Sequence, residues 1–574
     1  MKRIFVPFAL LAFVLVIAAC APAAQPTVVL PTAAPTSAPP TASLATATIA
    51  ATAPPPVVPT TAPTPGAQPT SAPSGQIKRG GTIVVGVTTD PGNFNTGITT
   101  AGGTHAVADN LYNGLLQFDE QLNPQPSLAQ SWDISPDGKT YTFHLEKGVT
   151  WHDGKPFTSA DVKFTFENIL LKFHSRTKAG LENVLEAIET PDDSTVVFKF
   201  KNPYAPLLRR LDVVEASILP KHLYENEADI TKAAANLNPV GTGPFKFKEY
   251  VKGDHVTFVR NENYWKKDLP YVDRVIFKII PDAAALDAAL EAGEVDYAGG
   301  VNSADIARLK ANPDVVLRQA PGGPGGSFCI DMLIFNMRKP PFDKKQVREA
   351  FAYGINRRQI LEQVIFNQGR VATGPISSTM AWAYNPNVLP RAYDTKKAAE
   401  LLDAAGYKAG ADGKRLRVAF VHATGFAKRG EVIRENMGQV GVEVELIPLE
   451  VNAANERVFI KNDFDLGIGS YCNGPDPEIG VTRAYVSSNI KPIPFSNGAA
   501  YSNPKIDELF LKAASTVETA QRAKVYAEIQ EILVQDVPYW WLVETQLFRA
   551  QRKEIHGLRY WAGDLLERAW TERP

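Results

Sequence analysis

Cysteine is nearly missing from this chain, with three in 574 residues. Neither Cys329 nor Cys472 lies in a Cys-x-x-Cys pair or beside a histidine cluster, which argues against a zinc centre, and no metal site is expected. The two can pair in an exported protein, but connectivity is not legible in a sequence and a large core does not require the bridge. Two buried thiols are the default reading. Charge imbalance is also absent: 60 Lys and Arg against 61 Asp and Glu leave a formal net charge of -1, with no long run of one sign. Phosphate binding needs a concentrated basic patch, so a nucleic-acid partner is not expected. The chain has no Gly-x-x-x-x-Gly-Lys-Ser/Thr, no His-Glu-x-x-His and no Gly-x-Ser-x-Gly. These absences remove the commonest nucleotide, metalloprotease and serine-hydrolase signatures, and no catalytic residue or cofactor is assigned.

One apolar run stands at the N-terminus. Lys2 and Arg3 precede Ile4–Ala18, and the small residues Ala18 and Ala19 stand before Cys20. That is the plan of a secretory signal, too short for a secure membrane span. Ile17-Ala18-Ala19-Cys20 resembles a bacterial lipobox, which implies cleavage before Cys20 and a membrane anchor through its lipidated sulfur. An ordinary cleaved signal with an incidental cysteine is the alternative. Residues 21–76 are almost wholly Pro, Ala, Thr, Ser and Val, a composition that opposes helix and sheet and reads as an extended tether.

The remaining length exceeds one core, so two large lobes are expected. Gly81–Val87 reads as a strand buried on both faces, ending in the turn cluster Asp90-Pro91-Gly92-Asn93-Phe94-Asn95. Residues 107–116 carry a helical pattern. Tyr141, Phe143 and Leu145 alternate with Thr142 and His144, the period of a half-buried strand. Thr158 with Asp161 makes a capping box, and Val162, Phe166, Ile169 and Leu170 follow at helical spacing. Between them His152-Asp153 suggests acid–base chemistry, yet flanking turns favour a structural role. Asp282–Leu290 reads as a helix, and Pro321–Gly326 breaks all periodicity. Asp394 caps a helix in which Ala398, Leu401, Leu402 and Ala405 fall on one face, and Gly406 ends it. A strand at 416–421, a helix at 428–439 and strands at 442–447 and 465–469 then describe a layered α/β unit, whose ligand side lies beyond the strand ends at Ser470–Pro477.

Four separated runs carry a family resemblance: Pro126-Ser127-Leu128-Ala129-Gln130-Ser131-Trp132, Tyr141–Val162, Asn238–Phe245 continuing to Trp265, and Val347–Arg357. Together they are similar to the family 5 bacterial extracellular solute-binding proteins of ABC importers. The resemblance implies an α/β, two-lobed periplasmic-binding-protein-like fold of class II, large cluster, with an extra subdomain in the first lobe and two interlobe crossings. Its expected plan is a signal at 1–20, a tether at 21–76, a first lobe at 77–327 with a subdomain inserted at about 115–235, a second lobe at 328–535, and a return to the first lobe over 536–574. It implies a monomeric receptor, with an ABC permease and its ATPase subunits as partners and no enzymatic role.

Oligopeptides are the leading ligand class by this resemblance. Many peptide-binding members carry Trp-x-x-Asp-x-x-Asp-Pro where this chain has Ser470-Tyr471-Cys472-Asn473-Gly474-Pro475-Asp476-Pro477. In those members the first aspartate pairs with the peptide ammonium, and here the uncharged Asn473 stands in its place. An oligosaccharide or other non-peptide solute is therefore the second ligand class. A secreted peptide or glycan hydrolase, and a structural lipoprotein on the same fold, are the readings from other classes. Asn473 and Tyr471 are candidate ligand contacts, and Asp476 is either a contact or a cap for the turn before Pro477. Phe94, Asn95, Trp382, Tyr384, Trp540 and Trp541 are candidate cleft walls.

Overall fold

The strand expected near 81–87 forms at Thr82–Val87 and takes the middle of a seven-stranded sheet. The computed structural model describes residues 77–119, 122–319, 329–388, 391–559 and 566–573. Cys20, the tether and Pro321–Gly326 lie outside them. Thr82–Val87 runs parallel to Arg274–Ile279 on one side and Tyr297–Ala298 on the other. This interior position, with Ile83 and Val85 buried, is why consecutive residues there are apolar. The sheet order is Val315–Gln319, Phe548–Arg552, Tyr297–Ala298, Thr82–Val87, Arg274–Ile279, His255–Arg260 and Phe245–Val251.

Beside it stands an antiparallel four-stranded sheet in the order Ala129–Ile134, Thr140–Leu145, Thr195–Phe200 and Leu185–Asp192. The alternation in Thr140–Leu145 turns Tyr141, Phe143 and Leu145 inward, where Phe143 meets Phe198 edge-on. Thr158 caps Ser159–Phe164, its backbone N–H donating to the Asp161 carboxylate at 2.9 Å. The helix continues through a π-turn at Thr165–Leu170, and Val162, Phe166, Ile169 and Leu170 are buried. The helical pattern at 107–116 is displaced: the helix is Gly102–Ala108, and Leu116 begins a short strand. Chain reversal over residues 109–115 lets Leu111, Leu115 and Leu116 reach the core without helical periodicity.

The second lobe is a six-stranded sheet in the order Gly369–Val371, Tyr539–Thr545, Cys329–Phe335, Leu466–Cys472, Leu416–Ala423 and Val442–Leu449. Leu416–Ala423 is parallel to both Val442–Leu449 and Leu466–Cys472. Helix Thr395–Ala404 starts at Asp394, whose carboxylate accepts from the Lys397 N–H at 2.9 Å, and Gly406 follows at φ +93°. Among the described residues, sheet membership changes from the first sheet to the second from Val315–Gln319 to Cys329–Phe335, and back again from Tyr539–Thr545 to Phe548–Arg552.

Two expectations are corrected here. The return to the first lobe does not begin at residue 536. Tyr539–Thr545 pairs with Cys329–Phe335 inside the second sheet, and Phe548–Arg552 is the strand that joins the first. The unbroken apolar run Tyr539–Val543 is burial on both faces of an interior strand. The cysteines are not two thiols: Cys329 and Cys472 stand opposite each other in the antiparallel register, and their sulfurs are bonded at 1.97 Å. Strand register brings together residues 143 apart in sequence, a relation that spacing does not carry. Among the described residues no helix is long and apolar enough to cross a membrane.

Candidate functional site

Leu466–Cys472 delivers the chain to a turn at Asn473–Asp476, followed by the short helix Pro477–Gly480 and a 3-10 turn at Thr482–Ala484. Asp476 shapes this exit. Its Oδ1 accepts from the Glu478 N–H at 3.0 Å, and both its oxygens pair with Arg522 at 2.9 Å. Gly480 is required where the turn folds back, because a Cβ would fall on the backbone of Cys472 and Asn473. The segment faces helix Ser175–Leu181 of the first lobe.

The two lobes meet here on a charged seam. Arg210 of the first lobe pairs with Glu478 of the second, and both side chains are buried. Tyr204 Oη donates to Glu478 Oε2 at 2.7 Å, and Arg209 Nη1 donates to the Pro475 carbonyl at 3.0 Å. Gly180 permits this approach, since a side chain there would fall on both Arg210 and Glu478. Farther along, Arg483 Nη1 donates to Thr100 Oγ1 at 2.9 Å. An Arg176–Glu215 pair at 2.7 Å and a His105–Asp109 pair at 2.9 Å lie on the first-lobe side. A cavity of about 320 Å3 opens between the lobes, lined by Gly180, Asn183 and Val184 against Glu478, Thr482 and Phe510.

Burial dominates the electrostatics of this seam. It pushes the Asp212 carboxyl up to about 8, with Glu215 nearby adding to the shift. It lowers His174 well below the usual histidine value, with Arg176 reinforcing the effect. It brings Arg483 down to about 9, again with Arg176 acting in the same direction. Several buried polar atoms lack a partner among the described residues: His174 Nε2, Arg176 Nε, Glu215 Oε2 and Thr482 Oγ1. Such atoms are costly unless something else satisfies them. No group of three or more His, Cys, Asp or Glu among the described residues is placed to hold a metal. The chemistry on offer is charge-assisted recognition between two bodies.

Residues 123–492 match the family described as "Bacterial extracellular solute-binding proteins, family 5 Middle". The chain belongs to this family. It is 30% identical over 489 residues to the "Dipeptide-binding protein" of Escherichia coli K12, covering 81% of this chain and 90% of that protein. The structure of the "ABC transporter-associated periplasmic binding protein DppA" from Helicobacter pylori, "in complex with peptide STSA", superposes with a TM-score of 0.78. There the identity is 27%, over 86% of this chain and 99% of that one. The oligopeptide-binding protein AppA from Bacillus subtilis, "in complex with a nonapeptide", also gives 0.78, at 28% identity over 87% and 100% of the two chains.

Within this solute-binding fold the residues expected at the site fall into two groups. Trp382, Tyr384, Asn473 and Asp476 gather around one loop of the second lobe. Asn473 Oδ1 accepts from the Ser377 N–H at 3.2 Å and its Nδ2 donates to the Pro375 carbonyl at 3.0 Å. Trp382 lies under Arg522, the partner of Asp476, and Tyr384 Oη accepts from Thr373 and Arg370. Tyr471 lies beneath the Arg483 guanidinium, 5.3 Å from its ring centroid.

The others lie inside single lobes. Phe94 packs on Phe247, Tyr250 and Phe258, and Asn95 caps residues 96–98 while donating to Asn236. Trp540 is buried under Arg357, and Trp541 Nε1 donates to Tyr485 Oη. Their partners come from their own lobes, so packing accounts for all four in this conformation. His152 joins Gly241 and Gly243 and Asp153 joins His222, both as turn ties. Arg176, Arg210, Glu215, Glu478 and Arg483 were not singled out from sequence. The available signals were Glu478, two residues past Asp476, and the paired Arg209-Arg210 in an otherwise apolar stretch.

Proposed function

We propose that this protein is the extracytoplasmic receptor of an ABC importer, closing its two lobes on a solute, foremost an oligopeptide, and handing it to a permease. The observation that carries the reading is the seam itself: two lobes meet on buried charged groups, some of them without a partner among the described residues. A ligand touching both lobes favours the closed state by its difference in affinity for the two states, and no covalent step is needed. The peptide assignment draws on the relatives named for dipeptides and oligopeptides. We further propose that a lipidated Cys20 holds the receptor at the membrane through residues 21–76, and that it acts as a monomer.

The test is a thermal-shift and calorimetric screen of a defined di- to nonapeptide set, with each peptide recovered and weighed by mass spectrometry. Binding with intact recovery is expected. Cleaved peptides would replace the receptor by a hydrolase, and binding of saccharides alone would replace the peptide. Membrane fractionation of Cys20→Ser checks the anchor: release into the soluble fraction is expected, and retention refutes it.

A further inference from the structure

Away from the seam, two aspartates of the first lobe face each other with no donor between them. Asp287 stands on the helix Ala283–Ala292 and is 0% exposed. Its Oδ2 accepts from the Asn302 N–H at 3.0 Å, and its Oδ1 is buried without a partner among the described residues. Asp305 lies within hydrogen-bonding reach of it. Asp305 Oδ1 pairs with Arg308 at 2.9 Å, and its Oδ2 is likewise buried without a partner. Two ionised carboxylates offer acceptors alone and repel each other, whereas one shared proton turns the same contact into a charge-assisted hydrogen bond.

The surrounding charges do not supply the missing donor. Arg308 is divided between Asp305 and Glu291, and Lys310 on the same helix is exposed. On the strand side, Arg552 donates to the Glu291 carbonyl and pairs with Glu554, while Arg318 and Arg549 stand opposite each other in the register. The side chains packed between these elements, Leu286, Leu290, Val295, Leu309 and Ala550, are apolar. Burial first, and Asp305 in the same direction, push the Asp287 carboxyl up to about 7 against the opposing effects of the Asn302 bond and Arg308.

The pair sits at a joint. Beside Asn302, which Asp287 holds, the Val301 N–H donates to the Phe548 carbonyl at 3.2 Å. Phe548 opens the strand by which the chain rejoins the first sheet after Tyr539–Thr545 of the second, and it pairs with Gln319, the last described residue before Cys329–Phe335. We propose that Asp287 and Asp305 share one proton, and that this proton ties residues 299–305 to Phe548, so that the first-lobe end of the joint is held in acid and released above neutrality. The proposal goes beyond the receptor reading and does not rest on it. It needs the two sheets and the return between them, and it makes the freedom of that joint depend on the pH around the protein.

Hydrogen exchange of the full chain at pH 6 and pH 8, corrected for intrinsic rates, reads the tie at the Val301 N–H. The closed loop keeps the proton that the open loop gives up, so protection falls as pH rises from the ordinary aspartate range to about 7 and is flat above it. Opening at Val301 is therefore expected to be about tenfold easier at pH 8 than at pH 6, and a ratio under about fivefold overturns the proposal, whether or not any variant folds. Asp305→Asn places a permanent donor beside Asp287 and should bring the ratio within about twofold; Asp287→Asn should do the same if the first variant does not fold. A purely structural contact would leave the pH profile alone, and a tenfold ratio that persists in these variants overturns the shared proton. The Gln546 N–H, held by the Gln368 carbonyl at 3.0 Å, is the reference, and a parallel tenfold rise there overturns a local tie. Protection at Val301 that depends on added calcium and is lost to a chelator puts a cation in place of the proton and overturns the proposal as well.

Discussion

Glu478→Gln removes one charge from the pair that joins the lobes and leaves Arg210 buried against a neutral amide. Burial works against the Arg210 charge, but Glu478 outweighs it and raises the group above the ordinary arginine value. Breaking a buried ion pair from one side costs about 3–5 kcal/mol. Arg210 would keep its bonds to the Arg176 carbonyl at 3.0 Å, the Glu478 carbonyl at 3.0 Å and Tyr204 Oη at 2.7 Å. The lower end, about 3 kcal/mol, is therefore expected, or roughly a hundredfold in the closing equilibrium. When the lobes part, both groups regain water, so the loss falls on closure more than on folding. Hydrogen exchange reports it directly, because the Ala205 N–H of the first lobe donates to the Ala514 carbonyl of the second at 3.3 Å. Faster exchange at Ala205 with an unchanged urea midpoint is expected. Arg210→Met with Glu478→Met should recover most of the protection, since neither charge is then left buried alone. Unchanged Ala205 protection in Glu478→Gln, or no recovery in the double variant, would refute the reasoning.

Gly180→Ala should act at the same contact, because its methyl would fall on Arg210 and Glu478; Ala205 exchange should quicken, and unaltered exchange counts against a close-packed seam. His152 is held down to about 4, first by burial, so the native state refuses a proton that the unfolded chain accepts near 6.5. Its contribution is present above about 6.5 and is lost as pH falls towards 4. With a discount for the ring's partial exposure, about 2 kcal/mol separates urea stability at pH 7 from that at pH 4 on this account, and His152→Gln should flatten the profile. Reducing the Cys329–Cys472 bond should lower urea stability by about 2–4 kcal/mol, and an unchanged midpoint in dithiothreitol would contradict the pairing. Asn473→Asp, which the family pattern predicts to strengthen binding of free-amine peptides, should instead weaken the second lobe by about 1–2 kcal/mol, because an acceptor would replace the donor facing the Pro375 carbonyl. Tighter tri-alanine binding by calorimetry would restore the simpler expectation.

Local features were legible because their causes are local. The alternation at Tyr141–Leu145, the cap at Thr158 and Asp161, and the helix between Asp394 and Gly406 each depend on residues within a turn or two of one another. Residues 107–116 misled because apolar side chains at helical spacing can also be buried by a turn. Tyr539–Val543 misled differently: an interior strand reads alike in either lobe, and only its partners show which sheet holds it.

The site was legible in outline and not in its charges. The loop Ser470–Pro477 was found from strand ends and family pattern, and it does lead to the seam. Asn473 departs from that pattern, but its amide is spent on the loop at Pro375 and Ser377.

From the chain's order of residues alone came the α/β character, the two-lobed plan and the family, because periodicity, caps and recurring runs are written in neighbouring residues. Long-range pairing settled the rest. Cys329 meets Cys472 through strand register, Arg210 meets Glu478 across 268 residues, and Arg483 of the second lobe donates to Thr100 of the first. Charges far apart in sequence interact only after folding places them within a few ångströms and removes the water between them. Which of them find partners is therefore a property of the folded seam.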